Sequence, residues 1–252
     1  MYFFFIIVFI IILIILIYYL MMRYINNKRS DIFLTKKELL DYLTSDNDNF
    51  YKTFKPIDLI VRKVENIEEY VKLIDNNIDE FTNEEMRKLT KAMENCDHYL
   101  QNIIKPGFNG FKCKDIPWKI GCIVGKGYEY GLPHTRGEIV LFPRYKLNQS
   151  EKTFTRTLIH ERIHIYQKKY PIDIQKYLKH NGYVRHKPLN RSQTRANPDI
   201  DDWTYTDKDG KIMSAEYKKD AKSVRDVVFK PKNSSEYEHP LEKMAIEISR
   251  DY

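Results

Sequence analysis

The chain opens with a long apolar run. Residues 1–22 carry no charge and consist almost wholly of Phe, Ile, Leu, Val, Met and Tyr, and Arg23 is the first charged residue. At about 1.5 Å rise per residue, a helix of this length covers roughly 33 Å, enough for a hydrocarbon core of roughly 30 Å. The run lacks the basic n-region and the small-residue cleavage site of a signal peptide. The pattern therefore predicts an uncleaved transmembrane anchor over residues 1–22.

The charges that follow this run predict its orientation. Basic residues come directly after it, at Arg23, Lys28, Arg29, Lys36 and Lys37. By the positive-inside rule, we expect a single-pass membrane protein whose C-terminal domain faces the cytosol. Glycosylation sequons at Asn148, Asn190 and Asn233 keep the opposite orientation open.

Helical periodicity dominates the next part of the chain. Leu39, Leu40 and Leu43 recur at helical spacing, and Thr82 with Glu85 forms a capping-box signature that opens a long helix. We therefore predict an N-terminal helical subdomain over residues 23–105.

The pattern changes after Pro106. Strand candidates span residues 118–124 and 138–142, separated by glycines, and predict a small, mostly antiparallel sheet. A second strong helix runs from the N-cap Ser150 to about residue 170. Residues 186–235 look irregular apart from a hairpin that joins residues 203–206 to 211–215. A last helix begins near Pro240, so the predicted fold class is α+β.

Composition narrows the function classes. The net charge of +7 lies wholly after the apolar run and favours acidic partners or an anionic membrane surface. The lysines are scattered among acidic residues and no nucleic-acid motif accompanies them, so we expect no nucleic-acid partner. The three cysteines, Cys96, Cys113 and Cys122, have no CxxC spacing, which argues against a disulfide framework and against a cysteine zinc site.

Candidate chemistry lies in the second strong helix, where His160, Glu161 and His164 form an HExxH motif. Two histidines four residues apart project from one helical face, so both imidazoles can reach one Zn²⁺ ion. Glu161 is then placed to take a proton from a metal-activated water molecule. The sequence predicts a single zinc site with Glu161 as the catalytic base.

The motif resembles the active-site helix of the zincin superfamily of metallopeptidases. The resemblance implies that residues 106–252 form a zincin-like core, in which the HExxH helix packs beneath a sheet whose edge strand binds extended substrate. Residues 137–142 resemble that edge strand, although an ordinary core strand is an equal alternative. The compact anchored layout also resembles virion membrane proteins of large DNA viruses, which would place the chain in a host or virion membrane.

A catalytic zinc normally has three protein ligands, so a third must come from elsewhere in the chain. The metzincin continuation is excluded, because Gln167 and Tyr170 stand where it needs Gly and His. Residues 237–245 resemble the NPxExxA-like segment of several gluzincin-type peptidases, which indicates Glu242 as the third ligand. Alternatives remain at Glu238, His239, Glu216 with Asp220, and the acidic turn Asp199, Asp201 and Asp202.

The sequence leaves the group that stabilises the transition state open among Tyr166, His180, Arg185, His186 and Tyr237. His134 is a further candidate for the wall of the cleft. Together the features predict a membrane-anchored zinc metallopeptidase, with peptides or proteins as substrates. Two alternatives remain: a catalytically inactive zincin-fold membrane protein with a structural or interaction role, and a zinc hydrolase acting on another bond.

Overall fold

A computed structural model describes residues 10–18, 32–190, 192–231 and 237–252. The fold class is α+β, and these residues form eight helices after residue 32 and three sheets. The predicted fold class included an N-terminal transmembrane helix, and this part of the prediction is wrong. No helix in the described ranges combines the length and the apolar character that crossing a membrane requires.

The predicted anchor over residues 1–22 falls only partly within the described residues. Residues 10–18 are helical and exposed, and the other positions of the predicted span lie outside the described ranges. Among the described residues, no helix meets the length and the apolar character of a membrane span. The prediction of a single-pass membrane protein, and with it the predicted localisation, is therefore wrong for the structure described.

Helices dominate the N-terminal part, as predicted. Their bounds are α1 (Lys36–Ser45), α2 (Pro56–Arg62), α3 (Ile67–Asn76) and α4 (Asn83–Leu100). The predicted capping box is confirmed at α4, where the Thr82 side chain accepts a hydrogen bond from Glu85 N and the Glu85 carboxylate accepts one from Thr82 N. The predicted domain boundary at residue 105 stays a prediction. Across it, Lys91 and Asn95 of α4 bind Glu151 at the start of a later helix.

The first sheet is mixed and has the strand order β1, β4, β6, β5. Its strands are β1 (Ile78–Asp79), β4 (Ile120–Ile123), β5 (His134–Arg136) and β6 (Ile139–Pro143). β4 and β6 pair in parallel, whereas β1 and β5 pair antiparallel at the two edges. Between β1 and β4 lie a two-stranded ribbon, β2 (Ile104–Lys105) and β3 (Phe108–Asn109), and the short helix α5 (Gly110–Lys114).

The β5–β6 turn requires a glycine. Gly137 has a φ of +54°, and a Cβ at this position would lie 1.9 Å from the Tyr42 hydroxyl oxygen. A side chain at this turn would be strained and would clash with α1. The turn thereby fixes the register of β5 against the sheet.

Two apolar clusters cover the two faces of this sheet. Along β6, Ile139 and Leu141 pack with the α1 residues Leu39 and Leu43, whereas Val140 and Phe142 pack into the opposite cluster. That opposite cluster also holds buried residues of α4, of α6 (Glu151–Lys169) and of α8 (Pro240–Arg250). The HExxH helix therefore lies directly against one face of the sheet.

Helix α6 follows its predicted bounds. The side chain of Ser150 accepts a hydrogen bond from Thr153 N, which confirms Ser150 as the N-cap. The helix ends at Lys169, and Pro171 occupies the first turn of α7 (Pro171–His180). Helix α8 begins at Pro240, as predicted.

A second, wholly antiparallel sheet has the order β10, β9, β8, β7. Its strands are β7 (Val184–Pro188), β8 (Trp203–Thr206), β9 (Ile212–Tyr217) and β10 (Val227–Lys230). The predicted hairpin is confirmed as β8 and β9. The description of residues 186–235 as irregular is wrong, because β7 and β10 extend the hairpin on both sides.

The three cysteines lie in the interior. Cys96, Cys113 and Cys122 are buried and free. Burial raises the pKa of Cys113 and of Cys122 to about 12, and it raises the pKa of Cys96 well above the ordinary thiol range. These side chains act as small apolar core residues.

Candidate metal centre

The two motif histidines lie on the side of α6 that faces α8 and a cavity. Leu158, Ile159 and Ile163 of the same helix are fully buried in the core. His164 is also fully buried, whereas the His160 side chain keeps 23% of its surface exposed. Burial of the apolar face against the sheet thus orients both imidazoles toward α8, and His160 also lines the cavity.

A compact cluster forms where α6 meets α8. The Nε2 atoms of His160 and His164 lie 3.0 Å apart. Glu242 Oε2 is 3.5 Å from His160 Nε2 and 3.7 Å from His164 Nε2. Within the described ranges, these three residues form the one group of three or more His, Cys, Asp or Glu whose ligand atoms lie within 4.8 Å of one another.

The spacing fits a tetrahedral zinc ion. Ligand atoms that lie about 2.0–2.1 Å from one tetrahedral ion are about 3.4 Å from each other. The three separations of 3.0, 3.5 and 3.7 Å bracket that value. The donor set of two imidazoles and one carboxylate is also one that zinc accepts, so His160, His164 and Glu242 could hold this metal.

Gln167 fixes the orientation of His164. Its Nε2 donates to the carbonyl oxygen of Leu241 at 2.9 Å, so its Oε1 is an acceptor. His164 Nδ1 lies 2.9 Å from that oxygen and must carry the donated proton. His164 Nε2 is consequently the atom that faces His160 and Glu242.

The electrostatics of the cluster favour charged partners. Burial opposes protonation of His164, but the carboxylates of Asp199 and Glu242 outweigh it and raise the pKa of His164 to about 9. Burial likewise acts to raise the pKa of Glu242, yet the two histidines hold it well below the usual range. Without a metal, a protonated His164 balances the Glu242 carboxylate.

Glu161 lies beside this cluster with an unused oxygen. Its Oε2 is buried and has no hydrogen-bond partner in the described part of the chain. Burial, followed by the charge of Asp199, raises the pKa of Glu161 well above its ordinary value. A buried carboxylate oxygen without a partner is costly, and a cation with its water at this point would relieve that cost.

Asn197 orients Glu242 from the other side. Its Nδ2 donates to Glu242 Oε1 at 2.8 Å and to Glu238 Oε1 at 2.7 Å. Its Oδ1 accepts from Asp199 N at 3.0 Å. With Oε1 held in this way, Glu242 offers Oε2 to the histidines.

The cluster opens into a cavity of about 510 Å³. Its wall combines residues from α6, α8, the loop 195–199 and the segment 129–134. The lining side chains are Glu129, Leu132, Pro133, His134, Lys146, Arg156, Thr157, His160, Glu161, Arg195, Ala196, Asn197, Pro198, Asp199, Val224, Glu242, Ile246, Ser249 and Arg250. His134, for which a loop position was the more frequent alternative, lies on β5 and belongs to this wall.

The alternative third ligands are engaged elsewhere. Glu238 forms an ion pair with Arg195, and Glu216 lies 2.6 Å from Lys230 Nζ. His239 caps α8 through Nδ1, and its Nε2 lies 3.2 Å from Asp201 Oδ1. Of the third-ligand candidates, the structure brings Glu242 to the two histidines.

Of the two alternatives for residues 137–142, the structure shows an internal strand and not the sheet edge. β6 lies inside the sheet between β4 and β5, so the edge strand on this side is β5. The Thr135 N–H on this edge donates to Asp199 Oδ1 at 2.8 Å, and the Thr135 carbonyl accepts from Lys168 Nζ at 3.2 Å. The chain itself therefore occupies the outward backbone groups of the edge strand.

Of the five groups considered for transition-state stabilisation, the described cavity wall includes none. Tyr166, for example, donates to Asp173 and accepts from Asn109 N on the core side of α6. Sequence reasoning instead assigned no role in the site to Arg195, Asn197 or Gln167. The loop 195–199 had no periodicity or motif that could reveal its approach to α8.

Comparisons with protein-family models, with curated proteins and with solved structures yield no match.

Proposed function

We propose that this chain is a zinc-dependent metallopeptidase that binds one zinc ion through His160, His164 and Glu242. The observation that carries the proposal is the convergence of the three ligand atoms within 4.8 Å beside the unpartnered Glu161 Oε2. A structural ion pair would explain Glu242 and one histidine. It would leave the second imidazole and the orphan carboxylate oxygen without a reason.

Each residue of the site has a separate role in the proposed hydrolysis. A zinc ion held by His160, His164 and Glu242 would lower the pKa of a water molecule to about 7 and would polarise the substrate carbonyl. Glu161 accepts the proton of the attacking water at Oε2 and passes it to the leaving amine nitrogen. Gln167 orients His164, and Asn197 orients Glu242, each through a hydrogen bond. The core packing of α6 keeps both histidines on the side of the helix that faces α8.

The test starts from metal content. The purified full chain should hold one zinc per molecule by mass spectrometry, and His160→Ala, His164→Ala and Glu242→Ala should each lose it. Glu247→Ala, on the same helix but with its carboxylate 3.3 Å from Lys243 Nζ, is the matched control and should retain zinc. A folded wild-type chain that binds no zinc would contradict the proposal.

Activity is then measured on a quenched-fluorescent peptide library. Glu161→Gln keeps both histidines and should retain zinc, yet it should lose about 10²–10⁴-fold in hydrolysis because the base is removed. Glu94→Gln, an exposed change on α4, should leave the rate unchanged. Zinc binding without hydrolysis of any amide substrate would favour a structural or interaction role.

A further inference from the structure

The cavity wall carries cations that the chain does not neutralise. Lys146 and Arg156 both line the cavity, and within the described ranges neither side chain forms a hydrogen bond or an ion pair. Arg250 lines it as well, and its Nε lies 4.0 Å from Asp251 Oδ1 in an exposed pair. Such an exposed pair contributes little, so the positive charge of all three residues is available to a ligand.

These cations stand close to the proposed metal ligands. Arg156 precedes His160 by one helical turn on α6, a rise of about 6 Å. Arg250 follows Glu242 by about two turns on α8, and Ile246 between them lines the same wall. Lys146 is half-buried, and burial lowers its pKa, while the Glu161 carboxylate acts in the opposite direction.

A second observation restricts how a peptide can bind. Asp199 and Lys168 already occupy the outward N–H and C=O groups of Thr135 on the edge strand. An extended substrate therefore cannot add to β5 at this residue through backbone hydrogen bonds. The substrate must be held by charged groups and side chains within the cavity.

We infer that Lys146, Arg156 and Arg250 bind a carboxylate of the substrate and so select peptides that carry one near the scissile bond. That the substrate is cleaved at a peptide bond rests on the proposed function. The carboxylate has two possible sources, the C-terminus of a short peptide and an acidic side chain. Both sources present the same charge-assisted hydrogen-bond acceptors to Arg and Lys.

Binding is tested without turnover, on the full chain carrying Glu161→Gln. Isothermal titration calorimetry compares three N-acetylated pentapeptides: a neutral one with a free C-terminal carboxylate, the same peptide as the amide, and that amide with one Glu. We expect one carboxylate peptide to bind about tenfold more tightly than the neutral amide. Arg156→Gln and Arg250→Gln should each reduce this preference about threefold or more, whereas the exposed control Arg87→Gln should leave it unchanged.

The outcomes separate the two sources and the two proposals. Tighter binding of the free acid identifies a chain end as the carboxylate, and tighter binding of the Glu-containing amide identifies a side chain. Equal binding of all three peptides, or a preference that survives combined replacement of Lys146 and Arg156, overturns the inference. Zinc-dependent hydrolysis without charge preference would leave the proposed function intact, and carboxylate-selective binding without hydrolysis would remove only the proposed function.

Discussion

Gln167 donates a 2.9 Å hydrogen bond to the backbone carbonyl of Leu241, the residue directly before Glu242. The Oε1 atom of the same side chain accepts a hydrogen bond from His164 Nδ1. One carboxamide therefore links the HExxH helix to the helix that supplies the third candidate ligand. The relative position of two ligands depends on this single group.

We predict that Gln167→Leu lowers zinc affinity about 10–100-fold, because such outer hydrogen bonds orient metal-binding histidines. The affinity is measured by competition with a chromophoric zinc chelator at fixed pH. Gln175→Leu, on the exposed face of α7, should bind zinc as the wild type does. Unchanged zinc affinity in Gln167→Leu would show that the link does not position the ligands.

Asn197 controls the opposite side of Glu242. Asn197→Ala removes the Nδ2 group that donates to Glu238 Oε1 and to Glu242 Oε1, so each of these two oxygens loses one hydrogen bond. We expect a loss of about 1–3 kcal/mol in the free energy of unfolding, together with weaker zinc binding. Urea unfolding measures the first, with the exposed Asn83→Ala as control. A wild-type unfolding curve for Asn197→Ala would contradict this role.

The buried His134 predicts a pH dependence of stability. Burial is the main cause that lowers the pKa of His134 below its ordinary value. The unfolded chain takes up this proton near pH 6.5, whereas the folded chain takes it up only at lower pH. The free energy of unfolding therefore falls as the pH drops below about 6.5, by at most about 1.4 kcal/mol per pH unit.

The measurement is urea unfolding at pH values from 5 to 8. His134→Asn should lower stability at neutral pH, because hydrogen bonds with Leu132 O and the Tyr128 hydroxyl are lost or changed. It should also flatten the decline below pH 6.5. His186→Asn, on exposed β7, should keep the wild-type slope, and equal slopes for all three proteins would refute the assignment to His134.

Arg162, inside the motif, serves the fold. Its guanidinium is buried, lies 4.0 Å from the centre of the Trp118 ring and donates to the carbonyls of Lys114, Ile116 and Pro117. A lysine cannot serve these acceptors in a planar fork, so Arg162→Lys should lose about 2–4 kcal/mol of stability while the folded fraction keeps one zinc. Thermal unfolding and metal content together check this, with Arg87→Lys as control. Zinc loss without a change in stability would contradict it.

The sequence predicts those parts of the site that depend on helical periodicity. His160 and His164 share a face because of their spacing, and Glu242 was identified from the segment around Pro240 and its apolar neighbours. Gln167 was noted only as a departure from another motif. Its role depends on the approach of α8, which no local pattern encodes.

The errors in the predicted fold have similar physical causes. Strand β7 is exposed and carries Arg185, His186 and Lys187, so it lacks the apolar alternation that identifies a strand. Strand β5 has only three residues, which is too short to show a strand-like sequence pattern. It forms the sheet edge, so β6 lies inside the sheet. In residues 1–22, apolar composition alone predicted a span, whereas none of the described helices has the length and apolar character needed to cross a membrane.

The burial of Cys96, Cys113 and Cys122 gives the chain an internal reporter of global opening. A thiol reagent reacts with the thiolate, and these thiols are shielded from solvent and hold their protons at neutral pH. Alkylation followed by intact mass should therefore proceed only as fast as the core opens. Arg162→Lys should label faster than the wild type, because it destabilises the fold.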